Sequence, residues 1–196
     1  MRLLIATTNP GKVREYRALL SELGCELVGL PDVGIAEEVV ETGSTYEENA
    51  VLKARTYSAN SGLLTLADDS GLEVDALQGR PGVHSARYAS DNGARIRKLL
   101  AEMGHVLDDQ RSAHFQCVIA LASTQGHLET AQGTCDGWIA HEPHGSNGFG
   151  FDPIFYLPEY ERTMAELSES LKNTLSHRAR AAQKMRPILE RILKER

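Results

Sequence analysis

Two strand-like segments, residues 114–123 and 127–139, follow one another with only a turn near Gln125-Gly126 between them. A connection that short joins antiparallel neighbours, because a parallel pair needs a crossover of about a dozen residues or more. Upstream the pattern is different. Residues 3–7 read as a short buried strand ended by Asn9-Pro10-Gly11, and residues 12–23 carry Val13, Tyr16, Leu19, Leu20 and Leu23 at helical spacing before Gly24. A second strand is expected over residues 26–30, then a helix opened by the capping box Ser44-Thr45-Tyr46-Glu47 and running to about residue 60. Residues 63–67 form another buried strand, which Asp68-Asp69-Ser70-Gly71 is expected to break. Residues 95–103 read as a helix between Asp91-Asn92-Gly93 and Gly104. The last helix begins near Ser176, with Ala179, Ala182, Met185, Leu189 and Ile192 on one side and a kink expected at Pro187. Strands alternating with helices, plus one hairpin, indicate an α/β fold with a mixed sheet.

No repeat, linker or low-complexity stretch divides the 196 residues, so one domain over residues 1–196 is expected. With 21 Lys and Arg against 27 Asp and Glu, the net charge is 21 − 27 = −6. That disfavours general binding to nucleic acid or an anionic membrane, yet leaves room for a small anion held by a local basic cluster. No apolar run approaches the roughly 20 residues that span a bilayer. Met1-Arg2-Leu3-Leu4-Ile5-Ala6-Thr7 is too short an apolar stretch for a signal peptide. Cys25, Cys117 and Cys135 are odd in number and lack metal or redox spacing. A soluble cytoplasmic protein is the expectation.

Five segments carry chemistry. Thr7, Thr8, Asn9, Pro10, Gly11 and Lys12 make a strand-to-helix turn where backbone N–H groups, a helix N-terminus and an ammonium would suit phosphate. Ala6 and Val13 stand where a Walker loop needs Gly and Ser or Thr, so a P-loop enzyme is disfavoured; a plain tight turn with a surface lysine is the alternative. Asp68-Asp69 offers hard oxygen ligands for Mg²⁺ and a proton acceptor for water, or else a capped turn. Glu41 reads as a second metal ligand or as part of an acidic loop with Glu37 and Glu38; Asn49 and Lys53, four apart, read by themselves as a solvated stripe. The loop Gly148-Phe149-Gly150-Phe151-Asp152 would let a backbone approach a base, with a phenylalanine to stack and Asp152 to orient it, or it is a loop anchored by its phenylalanines. Lys172 is followed by His177 and Arg178 in a first helical turn, where cations oppose the macrodipole and an anionic or oxygen-rich partner would explain them, or else they form a solvent-facing basic turn.

These pieces occur in an order that resembles the inosine triphosphate pyrophosphatase family, the bacterial pyrophosphatases of deaminated purine nucleotides (dITP/XTP). The resemblance spans essentially the whole chain. It rests on Thr7-Thr8-Asn9-Pro10-Gly11-Lys12, Glu41-Thr42-Gly43, Glu48-Asn49-Ala50 with Lys53-Ala54, Ala67-Asp68-Asp69-Ser70-Gly71-Leu72, Gly79-Arg80-Pro81-Gly82-Val83, Ser85-Ala86-Arg87-Tyr88, Gly148-Phe149-Gly150-Phe151-Asp152-Pro153 and Ser176-His177-Arg178. Thr8 departs from the Gly or Ser of many relatives. The resemblance implies a long mixed sheet flanked by helices, two lobes around a central cleft, and a homodimer. It implies Mg²⁺-dependent hydrolysis of ITP, dITP and XTP to monophosphate and pyrophosphate. Thr7, Thr8, Asn9, Pro10, Gly11 and Lys12 would bind the triphosphate, Glu41 and Asp69 the metal, with Asp69 also the proton acceptor. Ser70, Phe149, Gly150, Phe151, Asp152, Lys172, His177 and Arg178 would complete the nucleotide pocket, with Asp68 and Lys53 in support.

Overall fold

The computed structural model describes residues 1–194. Its elements run β1 (Arg2–Ile5), α1 (Pro10–Leu19), β2 (Glu26–Gly29), α2 (Tyr46–Ser61), β3 (Leu64–Val74), α3 (Asn92–Glu102), β4 (Ser112–Ala122), β5 (Leu128–Ile139), β6 (Phe155–Leu157), β7 (Arg162–Thr163), α4 (Glu169–Leu175) and α5 (His177–Lys194). The seven strands form one mixed sheet in the order β2-β1-β3-β4-β5-β6-β7, with helices flanking it. β1 lies parallel to β2 and β3, whereas β6 runs antiparallel to both β5 and β7. The β4–β5 hairpin is closed by Ser123 N–H donating to the His127 carbonyl at 3.1 Å.

The chain groups into two compact units, each with its own apolar core. The first comprises residues 1–69, residues 117–133 and the C-terminal segment from Arg178. Leu3, Ile5, Tyr16, Leu20, Leu66, Ile119, Leu121, Met185 and Leu189 fill its core. The inward face of α5 is as the spacing predicts: Ala179, Ala182, Met185, Leu189 and Ile192 are all buried. The second unit comprises residues 70–116 and 134–177, packed on Leu72, Leu99, Met103, Phe115, Phe155 and Met164. Each fully buried aliphatic side chain contributes about 1.5–3 kcal/mol, so either core can hold several polar groups under strain of desolvation.

Several boundaries differ from the sequence expectation, most of them for a local reason. α1 begins at Pro10, not residue 12, because Asn9 Oδ1 caps it by accepting from the N–H groups of Gly11 (2.8 Å) and Lys12 (3.3 Å). It also ends at Leu19, where the Ser21 hydroxyl donates to the Ala18 carbonyl. The capping box of α2 is shifted by one residue: Thr45 caps and Glu48 answers, while Ser44 also donates to Glu48. α3 starts at Asn92, since Asp91 accepts from Ala94 N–H. Most consequential, β3 is not broken at residues 68–71 but runs on to Val74.

Candidate functional site

The unbroken β3 sets the geometry. Successive side chains of a strand point to opposite faces, so Asp68 and Asp69 cannot share one environment. Asp68 is wholly buried, and its Oδ2 receives Lys12 Nζ at 2.9 Å together with Arg178 Nη2 at 3.3 Å and Nε at 3.4 Å. Arg178 is itself 1% exposed and also donates to Glu15 Oε2 at 2.6 Å. Glu15, Arg178, Asp68 and Lys12 thus form a buried chain with two charges of each sign. Burial would raise the Asp68 carboxyl, but Lys12, Arg178 and Lys53 outweigh it and hold the group well below the usual carboxylate range. Asp68 Oδ1 is buried and has no hydrogen-bond partner among the described residues.

Asp69 meets a different set. Its Oδ2 accepts from Asn49 Nδ2 at 3.0 Å, and its Oδ1 lies 3.9 Å from Lys53 Nζ. Lys53 donates to Glu41 Oε1 at 2.6 Å, so one ammonium bridges both carboxylates. Burial raises the Asp69 carboxyl and Glu41 adds to the rise, against Lys53, Lys12 and the Asn49 bond, leaving it above its ordinary value. The Lys53 ammonium is favoured: burial opposes its charge, but Asp68, Asp69 and Glu41 together raise its pKa. The segment carrying Glu41 is pinned to α2, because Tyr57 accepts from Val39 N–H and donates to the Glu37 carbonyl. Asn49 and Lys53 are therefore not a solvated stripe; Asn49 is fully buried.

The turn between β1 and α1 is tied to β3 by Ala6 N–H donating to the Leu66 carbonyl at 2.8 Å. Thr7 accepts from Asn9 N–H, and Thr8 donates to Glu38. The cap by Asn9 occupies the N–H groups of Gly11 and Lys12, so the Lys12 ammonium, 13% exposed and oriented by Asp68, is the strongest donor there.

In the second unit, Lys172 of α4 meets Asp152 Oδ2 at 2.5 Å, both side chains buried. The same oxygen accepts from Phe149 N–H at 2.8 Å, and Lys172 Nζ lies 4.9 Å from the Phe149 ring centre. Gly148 has φ +74°, and a Cβ there would come within 2.0 Å of Asp152 Oδ2. Gly150, at φ +65°, completes the tight loop. Phe149 is half-buried, whereas Phe151 is 3% exposed and packs edge-on to Tyr88. Of the two rings, Phe149 is the one accessible for stacking. His177 is buried and stacks on Phe115 at 4.6 Å, and Ser70 is half-buried just after Asp69. The anionic partners expected for Arg178 at this helix start are Glu15 and Asp68, to which it donates.

Sequence reading missed Glu15 and underrated Asn49. Glu15 is 6% exposed and lies three residues after Lys12 and four before Leu19, so an acidic residue on the inward stripe of α1 was the available signal. No group of three or more His, Cys, Asp or Glu residues able to hold a metal occurs among the described residues. Mg²⁺, however, is bound through one or two carboxylates, with water and phosphate oxygens supplying the rest. Glu41 and Asp69, both turned toward the single Lys53 ammonium, fit such a hard cation.

The sequence matches the Ham1 family over residues 3–188. The chain belongs to the Ham1 family. It is 52% identical to a Geobacillus kaustophilus family protein named dITP/XTP pyrophosphatase, over 97% of this chain and 95% of the relative. A Bacillus licheniformis protein of the same name is 47% identical over 95% of this chain and 97% of its own length. Among solved structures, the Staphylococcus aureus Ham1 protein superposes with a TM-score of 0.86 at 39% identity, covering 98% of this chain and 100% of that one. The Coxiella burnetii HAM1 protein gives 0.86 at 40% identity, with full coverage of both chains. These names agree with the resemblance carried by the motifs. No helix among the described residues is long and apolar enough to cross a membrane.

Proposed function

We propose that this chain hydrolyses deaminated purine nucleoside triphosphates, ITP, dITP and XTP, to the monophosphate and pyrophosphate. The observation that carries the reading is the division of labour along β3: Asp68 is locked by Lys12 and Arg178, while Asp69 faces Glu41, Lys53 and Asn49. The names of the close family relatives support the same reaction. In this reading Asp69 accepts the proton of the attacking water. Lys12, aimed by Asp68, neutralises phosphate oxygens as pyrophosphate departs. The turn of Thr7, Thr8, Asn9, Pro10, Gly11 and Lys12 cradles the triphosphate, with Ser70 beside Asp69 contacting substrate. Glu41 and Asp69 would hold Mg²⁺, which would supply charge neutralisation at the phosphates.

Phe149 offers a ring face to the purine, and Lys172, held by Asp152, offers donors to a 6-keto oxygen. Adenine carries an amino donor at that position, so an ammonium rejects it. In this reading Gly150, Phe151 and His177 belong to the same nucleotide pocket. The protein works as a cytoplasmic homodimer on a small-molecule substrate, without nucleic acid or membrane. A panel of nucleoside triphosphates with Mg²⁺, read out as pyrophosphate against orthophosphate, tests the reading. Pyrophosphate from ITP, dITP and XTP is expected; orthophosphate would mean a terminal phosphatase, and binding without turnover a sensor.

A further inference from the structure

Asn49 is a fully buried polar side chain. Its carboxamide is fixed at both ends. Oδ1 accepts from the backbone N–H of Gly43 at 2.8 Å, and Nδ2 donates to Asp69 Oδ2 at 3.0 Å. A backbone N–H only donates and an ionised carboxylate only accepts, so the two contacts together allow a single orientation of the amide. Gly43 is part of the device. A Cβ at residue 43 would lie 2.7 Å from Asn49 Oδ1 and 2.6 Å from Glu48 Cβ, so any side chain there pushes the amide away. With Oδ2 of Asp69 held from α2, Oδ1 is the oxygen on the side of Lys53, which in turn grips Glu41.

We propose that Asn49 is a positioning residue for Asp69, set by Gly43, which fixes the oxygen that Asp69 offers to the divalent cation beside Glu41. The proposal rests on the reading of Asp69 as a metal ligand. A partner of this kind acts by orienting a ligand and stabilising its charged form, and its loss costs about 10–100-fold in metal affinity or activity.

The test is made on the whole protein with Mn²⁺ as the probe. Free Mn²⁺ is followed by electron paramagnetic resonance in nucleotide-free samples of wild type, Asn49→Leu, Gly43→Ala and Asp69→Asn. Turnover, and binding of an α,β-methylene ITP analogue in EDTA, are measured alongside. Asn49→Leu is expected to lose about 10–100-fold in both Mn²⁺ affinity and kcat, while metal-free analogue binding is unchanged. Gly43→Ala is expected to shift the same two quantities in the same direction by less, and it carries the test where Asn49→Leu does not fold. A folded Asn49→Leu or Gly43→Ala protein that binds Mn²⁺ and turns over like wild type overturns the proposal. Equal loss of Mn²⁺ and metal-free analogue binding also overturns it, since that marks a general structural role. The parallel Asp69→Asn protein separates the two levels. If it keeps Mn²⁺ binding and turnover, the reading of Asp69 fails; if it loses both while Asn49→Leu loses neither, only the Asn49 inference fails.

Discussion

Asp68 and Asp69 are chemically identical neighbours on one strand, and their surroundings give them opposite work. On one face of β3, Asp68 is saturated with cations at one oxygen and wholly out of solvent. On the other, Asp69 has an amide donor, an ammonium at 3.9 Å, and a second carboxylate linked through that ammonium. The first arrangement fits a structural role; in the proposed reading the second holds the cation and takes the proton. The pleat, more than the residue type, gives the two carboxylates of this pair different partners and opposite shifts in acidity.

The sharpest way to break this comparison is to neutralise each member in turn. Asp69→Asn keeps the side-chain volume but removes the proposed proton acceptor, and turnover is expected to fall about 10²–10⁴-fold from that loss. Initial rates on ITP, with circular dichroism to confirm folding, check it. Near-wild-type turnover in a folded protein would assign the chemistry elsewhere. Asp68→Ala should do its damage to stability, since it strands the buried Arg178 and Lys12 charges. Removing one partner of a buried ion pair costs about 3–5 kcal/mol. Urea unfolding measures this, and a variant as stable as wild type would show that Glu15 alone neutralises Arg178.

A second neighbouring pair makes the comparison finer. Phe149 and Phe151 sit two residues apart, one half-buried against Lys172 and the other packed on Tyr88 inside the core. Phe149→Ala is expected to weaken ITP and IMP binding alike, because stacking on a base is worth about 1–3 kcal/mol and does not involve the triphosphate. Phe151→Ala should instead lower the melting temperature. Calorimetric titration with IMP and thermal unfolding tell the two apart, and the reverse pattern would remove Phe149 from base recognition.

What the sequence disclosed, and what it withheld, follows the same physics. Periodic elements were legible: the hairpin of β4 and β5, the inward stripe of α5, and the capped start of α2 to within one residue. The continuation of β3 was not, because Asp68-Asp69-Ser70-Gly71 carries turn-forming residues and the cations that let it stay extended come from far away. Arg178 lies 110 residues from Asp68 along the chain. Short elements such as β6, β7 and α4 fall below the window in which a period can be read. The candidate residues were nameable from motifs, but the direction of each was not. Arg178 looked outward as a cation at a helix start, and only its contacts with Glu15 and Asp68 turn it inward.

The smallest expected effect concerns a third carboxylate, Asp75, just beyond the end of β3. Here the pair is exposed rather than buried: His114 Nε2 lies 3.2 Å from Asp75 Oδ2 and its Nδ1 2.9 Å from Asp136 Oδ1. The hydrogen bond to Asp136 raises the His114 pKa, burial opposes the rise, and Asp75 adds to it. A group whose folded pKa is raised stabilises the fold fully below its unfolded pKa, and that stabilisation is lost as pH rises through the folded pKa. His114→Gln should therefore lower stability near pH ~5.5, and the loss should shrink toward pH ~8.5 as pH rises through the raised folded pKa. Exposed pairs of this kind are worth about 0–1 kcal/mol, and salt should shrink the difference further. Denaturant melts of both proteins at the two pH values, with and without added salt, provide the measurement. An equal loss at both pH values would mean that His114 matters for its packing between Asp75 and Asp136 and not for its charge. The contrast along the strand would then rest on the two buried carboxylates alone.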